Sequence, residues 1–398
     1  MMCVQFFIGP VLAYNGLDNY QYVHYRMKIP ESEYFGYAIP AVVCFIIGLH
    51  LYAGKLKGEY VNDKAIRLFV ERNPKLPYVI IILGFLSSLI SGFFGSELAF
   101  VFYLLGNSKF IGLFLLVIGT KELKLLPMVV VIGSIISSSL GDGMFHDLLT
   151  WMIFSGAVFG IKYKVGFNLK LIATVTFILL AATIQVLKSS YRTANRSSDE
   201  SDFDRFAKVY EQQNERSSVL SFERLAPATV RINQGFIITN IMNNVPARIS
   251  FSEGQEMYQI FEAAIMPRIL APNKLQAGDR TIFTKYSGIK LTVGTSMGLS
   301  SLGDAYLNYG IVGGCFFMFL LGLLYSAVLN IFHKQSQTYP LLALFTALVF
   351  YFPIRPDCEL QTILGHLFKS CFLIWIMILC FKKYFKVNPE KYNVLSTT

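Results

Sequence analysis

Residues 311–332, IVGGCFFMFLLGLLYSAVLNIF, carry no charged side chain. A helix needs roughly 20 residues of this kind to cross the hydrocarbon core of a bilayer. The stretch belongs to a span placed at 304–332, and similar runs recur along the chain. They place further spans near 1–14, 36–53, 77–95, 97–119, 125–140, 144–161, 169–187, 339–354 and 366–382. Of the 398 residues 54% are hydrophobic and only 15% are charged, whereas about a quarter of a soluble domain is charged. Folding that apolar excess into one water-soluble core leaves too little polar surface to cover it. The expected fold is all-α: a polytopic membrane helix bundle of about ten spans with one large extracytoplasmic loop carrying short amphipathic helices. The segments are an N-terminal membrane bundle (1–188), the loop (189–303), a C-terminal membrane bundle (304–382) and a cytoplasmic tail (383–398). Met1–Tyr14 is short, reads as a clipped or re-entrant helix, and lacks the basic n-region of a cleavable signal peptide. Asn107-Ser108-Lys109 interrupts the fourth span, which reads as two half-helices.

Charge sets the orientation. With a cytoplasmic amino terminus, ten spans return the carboxyl terminus to the cytoplasm. The short inside loops then hold Lys55, Lys57, Lys64, Arg67, Arg72, Lys75, Lys121, Lys124, Lys162, Lys164, Lys170, Lys334, Lys382, Lys383, Lys386 and Lys391. The short outside loops hold only Arg26, Lys28 and Arg355. That asymmetry follows the positive-inside rule, and the inverted arrangement violates it. The net charge of +10 is therefore a topogenic signal and does not call for a nucleic-acid partner. Five cysteines lie in apolar spans as small hydrophobes, Cys358 sits near the outer surface, and no CxxC or Cys/His metal spacing occurs. No structural metal is expected.

Between Ser189 and Gly303 no run is long and apolar enough to span. After a polar joint, Ser189–Asp204, helical periodicity appears over Phe203–Val219, Phe222–Val245 and Glu256–Ile265, with Pro246 and Pro267 ending the last two. Nine of the 13 arginines are here: Arg192, Arg196, Arg205, Arg216, Arg224, Arg231, Arg248, Arg268 and Arg280. Topogenic pressure treats lysine and arginine alike, so it does not explain an arginine-rich outer face. Guanidinium offers a bidentate fork for phosphate and keeps its charge when half-buried. Taken singly, each arginine is more readily a salt-bridge partner for the loop's own acids; taken together, they contain a subset suited to an anionic group such as a lipid pyrophosphate.

Residues 262–278, EAAIMPRILAPNKLQAG, and 295–314, TSMGLSSLGDAYLNYGIVGG, carry the most specific pattern. Pro267, Arg268, Pro272 and Lys274 precede a block of Gly303, Asp304, Tyr306, Asn308 and Gly310, and Gly313-Gly314 opens the next span. This resembles the Wzy-type O-antigen and exopolysaccharide repeat-unit polymerases, over the topology of the whole chain and motif-like over about sixty residues. The family's block carries Glu where this chain has Asp304, which shortens the acid by one methylene. The resemblance implies a metal-independent membrane glycosyltransferase, without cofactor, of the bacterial inner membrane. Such an enzyme transfers a glycan from a polyprenyl-pyrophosphate-linked oligosaccharide onto an incoming lipid-linked repeat unit at the outer leaflet. Its implied partners are that substrate, membrane lipid and a chain-length regulator protein. Two alternatives stay open, a ligase-like glycosyltransferase and a flippase of lipid-linked oligosaccharide.

Individual residues carry two readings each. Arg268, in a proline-stiffened segment, contacts pyrophosphate or forms a structural ion pair. Arg224 and Arg231, seven apart, share a helix face as a phosphate clamp or a solvated face, and Lys274 is a weaker candidate of the same kind. Asp304 caps a helix start or acts as the acceptor's base. Tyr306 and Asn308 bind sugar hydroxyls or sit at the interface. Arg355, Asp357, Glu359 and His366 cluster on the last outer loop, where Arg355 is a substrate contact and His366 a base or a solvated imidazole. Asp142, His146 and Asp147 form a weaker cluster after span five.

Overall fold

The computed structural model describes residues 2–16, 25–51, 59–94, 99–142, 145–193, 202–216, 232–266, 270–276, 278–291 and 297–385. Arg224, Arg231 and Arg268, the first ten residues of the helix expected over Phe222–Val245 and the tail lysines Lys386 and Lys391 lie outside the described residues. Among the described residues all regular structure is helical. Two compact units interleave along the sequence and cut across its four consecutive segments: Met1–Tyr60, Thr229–Thr338 and Val349–Tyr384 in the first, Val61–Ala228, Tyr339–Leu348 and Phe385–Thr398 in the second.

The first unit begins with a π-helical turn, Val4–Ile8, running into α1 (Gly9–Gly16). The carbonyl of Gln5 accepts from the Gln234 N–H at 3.1 Å, so this run is tied to the loop segment. Its centre is the pairing of α2 (Glu31–His50) with a 37-residue helix Ser300–Ser336. Glycine makes that pairing close: a Cβ on Gly48 would stand 2.2 Å from the Phe319 carbonyl oxygen, and one on Gly322 2.2 Å from that of Phe45. Backbone approach of this kind gives helices attraction that lipid-like surroundings do not supply through hydrophobicity alone. Tyr37 donates to the Leu302 carbonyl at 2.8 Å, and Phe45 meets Tyr325 edge-on at 5.6 Å, so the two helices run parallel.

The second unit has α3 (Asp63–Arg72), α4 (Leu76–Ile90), α5 (Ala99–Gly119), α6 (Leu125–Asp142), α7 (His146–Lys162), α8 (Phe167–Thr193) and α9 (Asp202–Arg216). α3 is amphipathic, capped by Asn62, whose side chain accepts from the Ala65 N–H. α4 and α5 are antiparallel through Gly84, Gly106 and Gly112, each too close to the opposite helix for a Cβ. The expected break at Asn107-Ser108-Lys109 does not occur. Asn107 and Ser108 return their donors to carbonyls one turn back, which satisfies them without interrupting the helix, and Asn107 Oδ1 also accepts from Trp151 at 3.1 Å. Lys162 closes the end of α5 by donating to the Val117 and Thr120 carbonyls, a cation at a helix C-terminus.

The first unit resumes with α10 (Gly235–Asn244), α11 (Gln255–Ile265), α12 (Arg280–Ser287) and α13, the helix Ser300–Ser336. After α14 (Leu341–Val349) it ends in α15 (Leu360–Phe385).

Among the described residues five helices are long and apolar enough to cross a membrane: Glu31–His50, Leu76–Phe93, Phe100–Gly119, Ser300–Ser336 and Leu360–Cys380. Outward-facing apolar side chains on them and on α8, among them Val312 at 83% exposure and Phe167 at 78%, point to a membrane protein, since water penalises such a surface. These helices coincide with five of the ten expected spans. Of the other expected spans, α6 and α8 carry the shorter apolar stretches Leu125–Gly141 and Phe167–Ala181, and the span placed at 339–354 contains Leu341–Val349. Nine residues rise about 13 Å, under half of a hydrocarbon core of about 30 Å.

Candidate functional site

The chemistry-bearing residues of the first unit gather around the first turns of α11, α13 and α15. Their placement follows from Gly310, whose φ of 65° and ψ of −160° break α13. That backbone region is essentially open only to glycine. The break frees the Leu307 carbonyl, which accepts from the Ser252 N–H at 3.0 Å. Asn308 accepts from the Met257 N–H at 3.1 Å and donates to the Asp304 carbonyl at 2.8 Å. Ser252 Oγ in turn accepts from the Glu256 N–H at 2.8 Å, satisfying an orphan donor at the start of α11. The block Gly303 to Gly310 thus fixes where α11 begins.

On one side of α11 lies a closed cavity of roughly 30 Å³ with Glu256, Asp279, Asp304 and Glu359 in its wall. Asp304, 4% exposed, sits one turn inside α13 and accepts from the Leu360 N–H at 3.1 Å. The cap expected of it exists, but on the start of α15 instead of its own helix. Glu359 Oε1 accepts from the Gly278 N–H and the Thr362 hydroxyl, both at 2.8 Å. Burial pushes the Glu359 carboxyl above the usual range and Asp279 adds to this, while the hydrogen bonds from Thr362 and Gly278 oppose it. Glu256 Oε1 accepts from Lys285 Nζ at 3.0 Å and the Tyr286 hydroxyl at 2.9 Å. The hydrogen bond with Tyr286, and then Glu256, hold Lys285 above the usual lysine value against the opposing effect of burial. The cavity has room for about one water and can pass a proton, but it cannot admit a sugar.

On the other side of α11 a groove of about 700 Å³ opens to solvent. Gln255, Tyr258, Gln259 and Glu262 line it from one helix stripe, with Glu253, Asn273 and Lys274 opposite. Tyr258 is 71% exposed.

The expected site residues scatter differently from the sequence reading. Tyr306 and Asn308, expected at sugar hydroxyls, are buried at 5% and 2%; Tyr306 donates to the Val245 carbonyl at 3.3 Å and packs on Tyr37 and Phe251. Both hold backbone: Tyr306 the carbonyl that follows α10, and Asn308 an N–H in the first turn of α11. His366 is not on a loop. Leu360 to Gly365 extend the last helix upstream, and the imidazole is buried with its ring 4.9 Å from that of Phe352. Arg355 pairs with Asp357 at 3.1 Å and lies over Phe352. Lys274 donates to the Ala263 carbonyl at 3.1 Å and to that of Met266, closing the end of α11. In the second unit His146 and Asp147 approach within 2.6 Å.

Glu256 was missed as a site residue, although its spacing with Ile260 and Ala263 puts a carboxylate on the core face of an amphipathic helix. Tyr258, Gln259 and Asn273 carried no signal. Among the described residues no group of three or more His, Cys, Asp or Glu is arranged to hold a metal.

A sequence family described as "Domain of unknown function (DUF8712)" matches residues 6–386. The chain belongs to this family. No curated protein and no solved structure matches it. The matched range takes in every helix flanking the cavity and the groove.

Proposed function

We propose that the chain is a membrane polysaccharide polymerase that joins lipid-linked oligosaccharide repeat units at the outer leaflet. The observation that carries this reading is the pair of sites on α11, an open polar groove and a small carboxylate-lined cavity, both positioned by the Gly303–Gly310 block. In this reading the acceptor hydroxyl adds to the anomeric carbon of the donor glycan and the bond to polyprenyl pyrophosphate breaks. The electron pair leaves with pyrophosphate, and the hydroxyl proton passes through one water to Asp304. Arg268, with Arg224 and Arg231, stabilises the charge gathering on the leaving group, so the reaction needs no cofactor.

The ten-span topology, with both termini cytoplasmic in a bacterial inner membrane, belongs to the same proposal. Two packing directions support it. Spans at 36–53 and 304–332 both run inward in that topology, and α2 and α13 are parallel; spans at 77–95 and 97–119 alternate, and α4 and α5 are antiparallel. The large loop and the chain-length regulator partner remain part of the proposal.

The test is purified protein in liposomes supplied with a lipid-linked repeat unit. Wild type is expected to produce a ladder of integral repeats, and Arg268→Ala to lose it. Substrate that instead crosses to the opposite leaflet without a ladder makes the chain a flippase. Transfer of glycan onto a different acceptor makes it a ligase.

A further inference from the structure

The groove beside α11 has its own chemistry, distinct from that expected of a pyrophosphate site. Its lining pairs amide and carboxylate groups with one upright aromatic ring. Gln255, Tyr258, Gln259 and Glu262 follow i, i+3, i+4, i+7 spacing, so their side chains form one continuous stripe. Amides offer both donors and acceptors, as sugar hydroxyls do, and an exposed ring presents an electron-rich face to the C–H side of a pyranose. Two carboxylates, Glu253 and Glu262, face a single cation, Lys274, and that ammonium is engaged with the Ala263 and Met266 carbonyls. Among the described lining residues there is no guanidinium, so a polyanion entering here meets repulsion from both carboxylates.

The rim is also held under strain. Glu253 adopts a φ of 51° directly before Gly254 at 89°, and non-glycine residues in the left-handed region persist where surrounding contacts over-determine them. Those contacts are at hand: the Gln255 N–H donates to the Ser252 carbonyl at 2.9 Å, and Ser252 is itself held by Leu307. The turn therefore gives the groove a fixed edge instead of a floppy one.

We propose that this groove is a subsite for uncharged sugar residues of the acceptor glycan, and that the carrier's pyrophosphate does not enter it. The assignment of the sugar to an acceptor rests on the polymerase reading; the binding itself does not. Glu262, Gln259 and Asn273 take the hydroxyls, and Tyr258 supports one sugar face.

Full-length protein in detergent is incubated on an array of neutral bacterial oligosaccharides, as wild type, Tyr258→Ala and Glu262→Gln. Tyr258 is so exposed that its truncation leaves the fold intact. Wild type is expected to bind, and Tyr258→Ala to bind about tenfold more weakly, the loss of one ring contact. Inorganic pyrophosphate is expected not to compete. Absence of binding by wild type, undiminished binding by Tyr258→Ala, or competition by pyrophosphate each overturns the subsite. The same proteins in the liposome assay separate the two proposals. Sugar binding without a ladder sinks the polymerase alone, and a ladder with unchanged acceptor KM in Tyr258→Ala sinks the subsite alone.

Discussion

The two faces of α11 present similar side chains to opposite worlds. Glu256 and Glu262 lie on one eleven-residue helix, yet one closes a cavity of roughly 30 Å³ and the other lines a groove of about 700 Å³. A buried carboxylate must be neutralised or hydrogen-bonded, because desolvation disfavours its charge. The cavity meets that demand with the N–H groups of Leu360 and Gly278, the hydroxyls of Thr362 and Tyr286, and Lys285. The groove makes no such demand, since water solvates it. Burial thus leaves one carboxylate bound to donors inside the fold and the other open to water.

The largest expected effect comes from changing charge on the buried face without changing shape. Asp304→Asn keeps an oxygen to accept from Leu360 but removes the carboxylate. If Asp304 takes the acceptor's proton, ladder formation falls by roughly 10²–10⁴-fold, the usual weight of a general base, while thermal unfolding stays close to wild type. A variant that polymerises normally reduces Asp304 to a cap on α15. Equivalent loss from Glu262→Gln, on the wet face, erases the distinction between the two faces.

Much of this was legible before any coordinates. Apolar runs located the five long helices to within a few residues, and periodicity placed Phe203–Val219 and Glu256–Ile265 close to Asp202–Arg216 and Gln255–Ile265. The Gly303–Gly310 block stood out as a motif. What failed to show was how that block works. Gly310, read as the last member of the motif block, is a backbone break, and Tyr306 and Asn308, polar and near an interface, turn inward to hold the Val245 carbonyl and the Met257 N–H. Spacing cannot reveal such roles, because they depend on which distant carbonyl or N–H is left unpaired. The cap by Asp304 was hidden for the same reason: its partner, Leu360, is remote in sequence. Within the 339–354 run the helix is Leu341–Val349, since hydropathy counts apolar residues and does not see where helical hydrogen bonding stops.

An intermediate effect is expected from the Lys285–Glu256 ion pair on the buried face. Lys285 is about half exposed and Glu256 nearly buried, so the pair itself contributes modestly, but deleting the cation leaves the carboxylate with only Tyr286. Lys285→Met should cost about 1–3 kcal/mol, the penalty of under-satisfying a buried polar group, read as a lower unfolding temperature in detergent. Adding Glu256→Gln should recover most of it, since a neutral amide needs no counter-charge. Failure of the second substitution to rescue means Lys285 stabilises through its packing on Tyr286.

The smallest effect is a slope with pH. Glu359 is raised above the usual carboxylate range chiefly by burial, so between its ordinary value and the raised one the folded chain holds a proton that the unfolded chain has released. Stability from this group is therefore greatest in acid, declines as pH climbs through that window, and is flat above it. Glu359→Gln preserves an acceptor for Gly278 and Thr362 and removes the titration, so its unfolding temperature should lose that decline. Melts of both proteins over a pH series in detergent measure it. Parallel curves mean that water reaches Glu359 as freely as it reaches Glu262, and the contrast between the two faces of α11 then concerns shape instead of solvation.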